Sequence, residues 1–197
     1  MTKPFSQACE NNRQPILAVL QYAFAQSRRV LEIGSGTGQH AVYFAKHLPH
    51  LQWHTSDQVQ YHAGINQWLE DEPASNLHPP ITYQVGQDAF PISTVDAVFT
   101  ANTAHIMQPQ EVAMMMCQVA QALPQRGVFC QYGPFIQQGQ FSSQSNHDFH
   151  HKLIAQGYGG YQDIATLQQW APHLRLRNVH TMPANNLLLE WVKSSSS

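Results

Sequence analysis

Charged side chains are scarce in this sequence. They make up 11% of its 197 residues, and ten Lys and Arg against twelve Asp and Glu give a formal net charge of −2 at pH 7. A protein that binds nucleic acid normally carries a basic stripe, and these few cations are spread along the chain. Nucleic acid is therefore not expected as a partner.

Cysteine and long hydrophobic runs are scarce as well. The three cysteines, Cys9, Cys117 and Cys130, are widely spaced and form no CxxC pair. Cys117 and Cys130 fall in apolar stretches, so both are expected to be buried free thiols. No stretch reaches membrane-spanning length, and the first residues contain no apolar signal core. We therefore expect a cytoplasmic protein with no membrane partner.

Hydrophobic residues nevertheless account for 43% of the chain, which is typical of a globular protein. The length suits one domain with a substantial core. We predict a single domain over residues 1–193, in which residues 1–27 form a helical segment that packs on the rest. The serine run at residues 194–197 is predicted to be a solvated polar tail.

A glycine-rich segment organises the rest of the sequence. Residues 30–33 are of buried-strand type, residues 34–38 read GSGTG, and the spacing of apolar residues after them predicts a helix. Glycines allow a sharp turn and a close approach of the backbone to a ligand, and the start of a helix offers unpaired N–H groups. A strand, a glycine turn and a helix start together predict a cradle for a nucleotide-type ligand.

The details of this cradle favour S-adenosylmethionine. A dinucleotide fingerprint requires glycine where this chain has Gln39, and the sequence contains no Walker loop. Instead, Glu32 stands two residues before a G-x-G-x-G pattern, as in Rossmann-like methyltransferases, where the acid is suited to compensate the cationic amino group of the methionyl part. A bare glycine turn, in a nicotinamide enzyme or in a domain that binds nothing, is the alternative. The cofactor contacts predicted here are Glu32, Gly34, Ser35, Gly36, Gly38, Gln39 and His40.

Further cofactor contacts are predicted outside the glycine loop. Asp57 ends a strand over residues 51–56, about twenty residues past the glycines, which is the position of an acid that holds a ribose; an ordinary turn or N-cap is the alternative. After a strand over residues 81–85, Asp88 is placed to accept from the adenine amine, with Ala89 or Phe90 on the ring, unless this is a plain surface turn. Arg13, at the start of a helix expected from Pro15, either covers the cofactor or caps that helix.

The acceptor side is predicted at the end of the central strand. Residues 95–100 form a nearly continuous apolar run, which is typical of a buried parallel strand. Asn102 and His105 follow it, at the edge of the sheet where substrates bind. Asn102 is expected at the cofactor, and His105 is either an acid/base or orienting group or a structural histidine. Tyr132, at the end of a strand over residues 127–132, is the second catalytic candidate, and residues 137–144 are a candidate lid.

A histidine-rich segment follows at residues 147–151. His147 and His151 are four residues apart on an expected helix, but no cysteine or carboxylate cluster completes a metal site, so no metal is predicted. The chain closes with two apolar strands, over residues 174–182 and 186–192, joined by a tight turn that makes them antiparallel. The fold expected is α/β: a Rossmann-like, seven-stranded, mostly parallel sheet with helices on both faces and a C-terminal antiparallel hairpin.

Several strings in this chain resemble one family. They are FSQACENNRQPIL, VLEIGSGTGQHAVYFA, WHTSD, VDAVFTANTAHI, YGPF, the SN-x-x-F of residues 145–149, and MPANNLLL. Together they resemble the methyltransferase-like protein 26 family, once catalogued as domain of unknown function 938. The resemblance covers nearly the whole chain and implies a methyltransferase fold with S-adenosylmethionine as cofactor. The chain departs from the family pattern at residues 89–91 and in the glycine-rich segment 157–161.

The sequence thus predicts a methyltransferase that moves a methyl group in line to a small-molecule acceptor. A hydroxyl or ammonium acceptor requires a base, for which His105 is the first candidate and Tyr132 the second; a carboxylate or thiolate requires none. A protein methyltransferase, a protein that binds the cofactor without turnover, and a nicotinamide oxidoreductase are the alternatives. A homodimer is left open.

Overall fold

The computed structural model describes residues 2–194, and its centre is one seven-stranded sheet. The strands are β1 (Arg29–Ile33), β2 (Gln52–Asp57), β3 (Leu77–Thr82), β4 (Ala97–Ala101), β5 (Val128–Gly133), β6 (Leu174–Thr181) and β7 (Leu187–Lys193). Their order is β3-β2-β1-β4-β5-β7-β6. The first five are parallel, while β7 is antiparallel to both β5 and β6. The α/β fold expected from the sequence is confirmed.

Helices cover both faces of this sheet. They are α1 (Gln7–Ala23), α2 (Gln39–His47), α3 (His62–Asp71), α4 (Pro109–Ala122), α5 (Gln144–Ala155) and α6 (Ile164–Trp170), with a 3-10 turn at Val59–Tyr61. Successive residues of a strand point to opposite faces. Val30 therefore joins a core with Phe44 and Trp53 beneath α1 and α2, whereas Leu31 joins one with Met115 beneath α4. No helix described over residues 2–194 is long and apolar enough to cross a membrane.

The first helix begins earlier than the sequence predicted. It starts at Gln7 instead of Pro15, because the Ser6 hydroxyl caps it by accepting a hydrogen bond from Cys9 N at 3.3 Å. Pro15 lies inside the helix, where its missing N–H removes one backbone hydrogen bond. The buried apolar face on either side, with Leu17 and Leu20 in the core, keeps the helix continuous.

The third strand also lies earlier than predicted. It spans Leu77–Thr82, where the sequence indicated a loop up to residue 80 and a strand over 81–85. Pro79 and Pro80 lie inside it, which is tolerated because β3 is at the edge of the sheet and needs donors on one side only. Tyr83 and the two residues after it consequently lie beyond the strand, at its carboxyl end.

Two smaller expectations change as well. Cys117 lies on α4 and is exposed, so its predicted burial is wrong. Cys130 is buried as expected. Ser194, assigned to the solvated tail, is held by His173, whose carbonyl accepts from its backbone N at 2.9 Å and its Oγ at 2.8 Å. Residues 195–197 of that tail lie outside the described residues.

Candidate cofactor site

A cavity of about 460 Å³ opens at the carboxyl edge of the sheet. The strand order reverses between β1 and β4, and ligands of open α/β sheets bind at such a switch point. The cavity is lined by the ends of β1, β2, β3 and β4 and by the segments that follow them. Its lining residues are Ile33, Gly34, Gly36, Asp57, Gln58, Tyr61, Tyr83, Gln84, Val85, Ala101, Asn102, Thr103, Ile106, Met107 and Glu111.

Two glycines of the loop serve different purposes. Gly36 has a φ of +58° and lines the cavity, and a Cβ added to it would meet no protein atom within 4 Å. Gly38 has a φ of +93°, and a Cβ there would lie 3.2 Å from the Ile65 Cα of α3. Gly38 thus allows α2 and α3 to approach, whereas Gly36 leaves open a space that any side chain would fill. That open space is part of the cavity.

Asp57 faces the same space from the end of β2. One carboxylate oxygen accepts from Gly36 N at 2.8 Å and the other accepts from Gln58 N at 2.7 Å. Burial raises the pKa of this carboxyl group, and the two backbone N–H groups offset part of that rise. The Asp57 side chain is fixed in place, and each oxygen keeps a lone pair for a hydroxyl donor.

Glu32 lies beneath the loop and does not line the cavity. Its carboxyl group is buried and accepts from Trp53 Nε1 at 3.3 Å and from the Ser35 side chain, and burial raises its pKa to about 7. The Ser35 Oγ in turn accepts from Ser56 N at 3.0 Å. Both residues therefore support the base of the loop. A buried acid whose pKa is raised by desolvation is stabilised by a nearby cation, which suits a ligand bearing an ammonium group.

The first residues of α2 hold the N-terminal strap, residues Lys3–Glu10, against the loop. Gln39 is buried: its Oε1 accepts from Ser6 N at 2.6 Å and its Nε2 donates to Glu10 Oε1 at 2.9 Å. Trp68 Nε1 of α3 donates to Pro4 O at 2.6 Å, which fixes the other half of the strap. Gln39 occupies the position at which a dinucleotide fingerprint has its third glycine, and here its side chain binds the strap.

His40 and Arg13 lie where α1 packs on α2 and do not line the cavity. His40 Nε2 is 2.7 Å from Asn12 Oδ1, and burial, with the Arg13 charge adding to it, lowers the pKa of its ring to about 4. The Arg13 guanidinium pairs with Glu10 at 3.1 Å and lies over the Tyr43 ring at 4.5 Å. Neither residue lines the cavity.

The predicted adenine contacts also lie outside the cavity. Asp88 Oδ2 accepts from Gln84 N at 2.7 Å within its own turn. Phe90 packs against the core, with its ring 5.8 Å from that of Tyr83, and Ala89 is exposed. The cavity wall on this side is formed by residues 83–85, which the sequence analysis had placed inside a strand.

The segment after β4 contributes Asn102 to the cavity. Asn102 has a φ of +57°, a left-handed conformation that asparagine tolerates better than most residues, and its N–H donates to Tyr132 O at 2.9 Å. His105 lies further along, 9% exposed, with its ring 6.1 Å from that of Tyr161. Burial lowers the pKa of His105 to about 4. His105 does not line the cavity, although Ile106 and Met107 next to it do.

Tyr132 is buried in the core on the α1 side of the sheet. Its hydroxyl accepts from Asn186 Nδ2 at 3.1 Å and also bonds the Asn12 side chain, and burial raises its pKa. Of the predicted site residues, the structure therefore brings Gly34, Gly36, Asp57 and Asn102 together around the cavity. The two catalytic candidates lie in separate surroundings, and neither lines it.

The histidines of α5 are close together without forming a larger cluster. His147 Nε2 and His151 Nε2 are 3.2 Å apart. Over residues 2–194, no group of three or more His, Cys, Asp or Glu side chains is arranged to hold a metal ion.

Solved structures similar to this chain include S-adenosylmethionine-dependent methyltransferases and O-methyltransferases. Mitomycin 7-O-methyltransferase is similar with a TM-score of 0.82 at 13% identity, over 95% of this chain and 54% of that one. An O-methyltransferase family 2 protein from Planctomyces limnophilus, in complex with apigenin, is similar with a TM-score of 0.81 at 16% identity, over 94% of this chain and 57% of that one. Human N-acetylserotonin methyltransferase, in complex with S-adenosylmethionine, is similar with a TM-score of 0.74 at 11% identity, over 93% of this chain and 55% of that one.

The fold is thus that of the Rossmann-like methyltransferases, and the chain spans about half the length of these structures. A protein-family model described as "Protein of unknown function (DUF938)" matches residues 3–193. The chain belongs to that family.

Proposed function

We propose that this protein is an S-adenosylmethionine-dependent methyltransferase of the methyltransferase-like protein 26 group, acting on a small-molecule acceptor by in-line methyl transfer. The observation that carries the proposal is the pairing of Gly36 with Asp57. An open space that a Cβ would fill faces a fixed carboxylate at the switch point of the sheet. The solved methyltransferases with this fold, one of which holds S-adenosylmethionine, support the same cofactor.

The residues around the cavity fit an adenosyl ligand. Asp57 has free lone pairs for the two ribose hydroxyls, and residues 83–85 supply an aromatic and aliphatic wall for the adenine. Beneath the loop, Glu32 is buried with its pKa raised to about 7, and an ammonium group bound near the loop would favour its charged form. Asn102 lines the same cavity directly after the end of β4.

The cofactor supplies an electrophilic methyl carbon, so this chain has to align the acceptor and exclude water. His105 is a weak base, because burial lowers its pKa to about 4 and leaves it neutral near pH 7. A neutral imidazole orients a hydroxyl acceptor by accepting its hydrogen bond and takes the proton only as the new bond forms. The weak basicity also favours a second candidate function, binding of the cofactor without turnover. A protein methyltransferase, a cytoplasmic location and a homodimer remain predictions.

Calorimetric titration with S-adenosylhomocysteine tests the proposal, with NAD as the control ligand. We expect a Kd on the order of micromolar, about −8 kcal/mol, for S-adenosylhomocysteine and no binding of NAD. The Asp57→Ala variant should lose at least tenfold in affinity, because the ribose hydroxyls lose their acceptor. If wild-type protein binds only NAD, or neither ligand, the proposal is wrong.

Turnover is tested separately from binding. Transfer of a labelled methyl group to a library of small acceptors is expected from the methyltransferase. Cofactor binding with no transfer to any acceptor, including protein extracts, would support the alternative of a binding protein. Transfer to protein alone would favour the protein methyltransferase.

A further inference from the structure

A cluster of aromatic rings lies beside the cofactor cavity. This ring cluster consists of Tyr161 at its centre and four rings around it. Their centroids are 6.1 Å (His105), 6.2 Å (Phe141), 6.3 Å (Phe149) and 5.7 Å (His150) from the Tyr161 ring. The rings come from α5, from the loop before it, from the segment after β4 and from the glycine-rich segment 157–161. Separate parts of the chain therefore converge on one aromatic surface.

The ring cluster is joined to the wall of the cavity by backbone contacts. Gly160 N donates to His105 O at 3.1 Å, and Gln108 Nε2 donates to Gly157 O at 2.7 Å. A Cβ on Gly159 would overlap the carbonyl oxygen of Met107, so the two segments are in direct contact. Met107 and the neighbouring Ile106 line the cavity. The segment that carries Tyr161 thus packs against the segment that forms this wall of the cavity, and the exposed Phe149 and Ile106 lie on either side of that contact.

Exposed apolar side chains are concentrated at the same place. Ile106, Phe149, Ile154 and Tyr158 are each between 43% and 48% exposed. Ile154 lies next to Gly160, and Tyr158 N donates to Leu153 O, so these side chains surround the segment that carries the ring cluster. Solvent-exposed apolar groups grouped beside a ligand cavity are typical of a binding surface.

The ring cluster carries no formal charge at neutral pH. His150 Nδ1 accepts a hydrogen bond from Tyr161 N at 2.9 Å, which requires its neutral form, and His105 is neutral as described above. The carboxylate of Asp148 on the same helix is bonded to Gln144 at 2.9 Å and paired with His147 at 3.3 Å. A strongly charged acceptor would find no partner among these rings, whereas an uncharged aromatic ring would stack on them.

We propose that the ring cluster, together with the exposed Ile106 and Tyr158, is the acceptor subsite, and that the acceptor is an uncharged aromatic molecule with a ring hydroxyl. This inference rests on the proposed function. In the reaction, the phenolic oxygen forms a bond to the methyl carbon while the carbon–sulfur bond of the cofactor breaks, with the electron pair going to sulfur. The phenolic proton passes to the neutral His105 ring as the new bond forms and from there to solvent, so the products are an aryl methyl ether, S-adenosylhomocysteine and a proton.

The test uses the full chain saturated with S-adenosylhomocysteine and follows the fluorescence of 2-naphthol, with cyclohexanol as a non-aromatic competitor. We expect 2-naphthol to bind and cyclohexanol not to displace it. Phe149→Ala and Tyr158→Ala should each weaken 2-naphthol binding about three- to tenfold, as expected for the loss of one ring contact. The matched control is Tyr22→Ala, on an 85% exposed tyrosine of α1, which should leave 2-naphthol binding unchanged.

The outcomes separate the inference from the function on which it rests. If S-adenosylhomocysteine binds but 2-naphthol does not, or if neither Phe149→Ala nor Tyr158→Ala weakens it, the acceptor inference is wrong and the proposed function stands. If wild-type protein is a dimer by light scattering and Phe149→Ala makes it monomeric, the surface is a subunit interface and the inference is likewise wrong. Failure of S-adenosylhomocysteine to bind would refute both. Methylation of 2-naphthol with labelled cofactor, with KM raised and kcat retained in Phe149→Ala, would support the inference.

Discussion

Replacement of Gly36 by alanine separates a backbone effect from a ligand effect. Gly36 has a φ of +58°, which costs an L-residue about 1–2 kcal/mol relative to glycine. No protein atom lies within 4 Å of the added Cβ, so no clash adds to this cost. For a chain of this size the loss corresponds to a fall in Tm of roughly 2–8 °C. Gly36→Ala should therefore fold and melt slightly below the wild type.

Cofactor binding should respond much more strongly than stability. The methyl group that Gly36→Ala adds would stand in the open space of the cavity, facing Asp57. Because the adenosyl ligand requires that space, we expect affinity for S-adenosylhomocysteine to fall at least tenfold, or about 1.4 kcal/mol. Calorimetric titration at 25 °C, where both proteins are folded, measures this difference.

Gly139→Ala is the matched control for the backbone cost. Gly139 has a φ of +74° and, like Gly36, no atom within 4 Å of an added Cβ, but it does not line the cavity. It should show a similar loss of Tm with unchanged affinity. If Gly36→Ala binds S-adenosylhomocysteine as tightly as the wild type, the cavity beside Asp57 is not the cofactor site.

Three other predictions concern titratable side chains. The pKa of Glu32 is about 7 in the folded protein against an ordinary 4.5, so its protonated form stabilises the fold below pH 4.5 and this stability is lost as the pH rises through 7. Thermal melts of Glu32→Gln and the wild type at pH 5 and pH 8 measure the difference in stability between the two proteins. This difference should shift in favour of the variant by up to about 3 kcal/mol between pH 5 and pH 8. An equal difference at both pH values would refute this reasoning. His105→Ala should keep wild-type affinity for S-adenosylhomocysteine but transfer methyl groups at least tenfold more slowly, and unchanged kcat between pH 5 and 9 would remove His105 from the reaction. With a thiol reagent, Cys117 should react fastest because it is exposed, Cys9 more slowly because burial raises its pKa, and Cys130 only on unfolding; three equal rates would contradict the described burial.

The elements that the sequence predicted well have strong local signals. The strand–glycine–helix unit around Gly36 depends on backbone conformations that glycine alone adopts easily, so its position in the chain is readable. The buried run of β4 and the closing hairpin have no competing interpretation, because a tight turn between two apolar strands leaves only antiparallel pairing. These elements indicate the antiparallel end of the sheet and the edge at which the cavity lies.

The parts that were missed depend on tertiary contacts. Pro79 and Pro80 argue against a strand until the strand is known to lie at the edge of the sheet, so the sequence does not reveal that residues 83–85 lie beyond β3 and line the cavity. His105 follows a central strand as a catalytic residue would, but whether it faces the cavity or Tyr161 is decided by the distant segment 157–161. The helical spacing on α4 indicated which residues form its apolar face. It did not show that Cys117 lies outside the buried part of that face.

The strap held by Gln39 has a consequence for the way the chain is made. Lys3–Glu10 leave the ribosome before α2 and α3, yet their partners Gln39, Trp68 and Asp71 are synthesised up to about seventy residues later. The loop-closure entropy of contacts so distant in sequence must be overcome before the contacts stabilise the fold. Lys3–Glu10 can therefore dock only after α2 and α3 have been synthesised. A change of residue in Lys3–Glu10 would then act on the cofactor site while contacting no ligand.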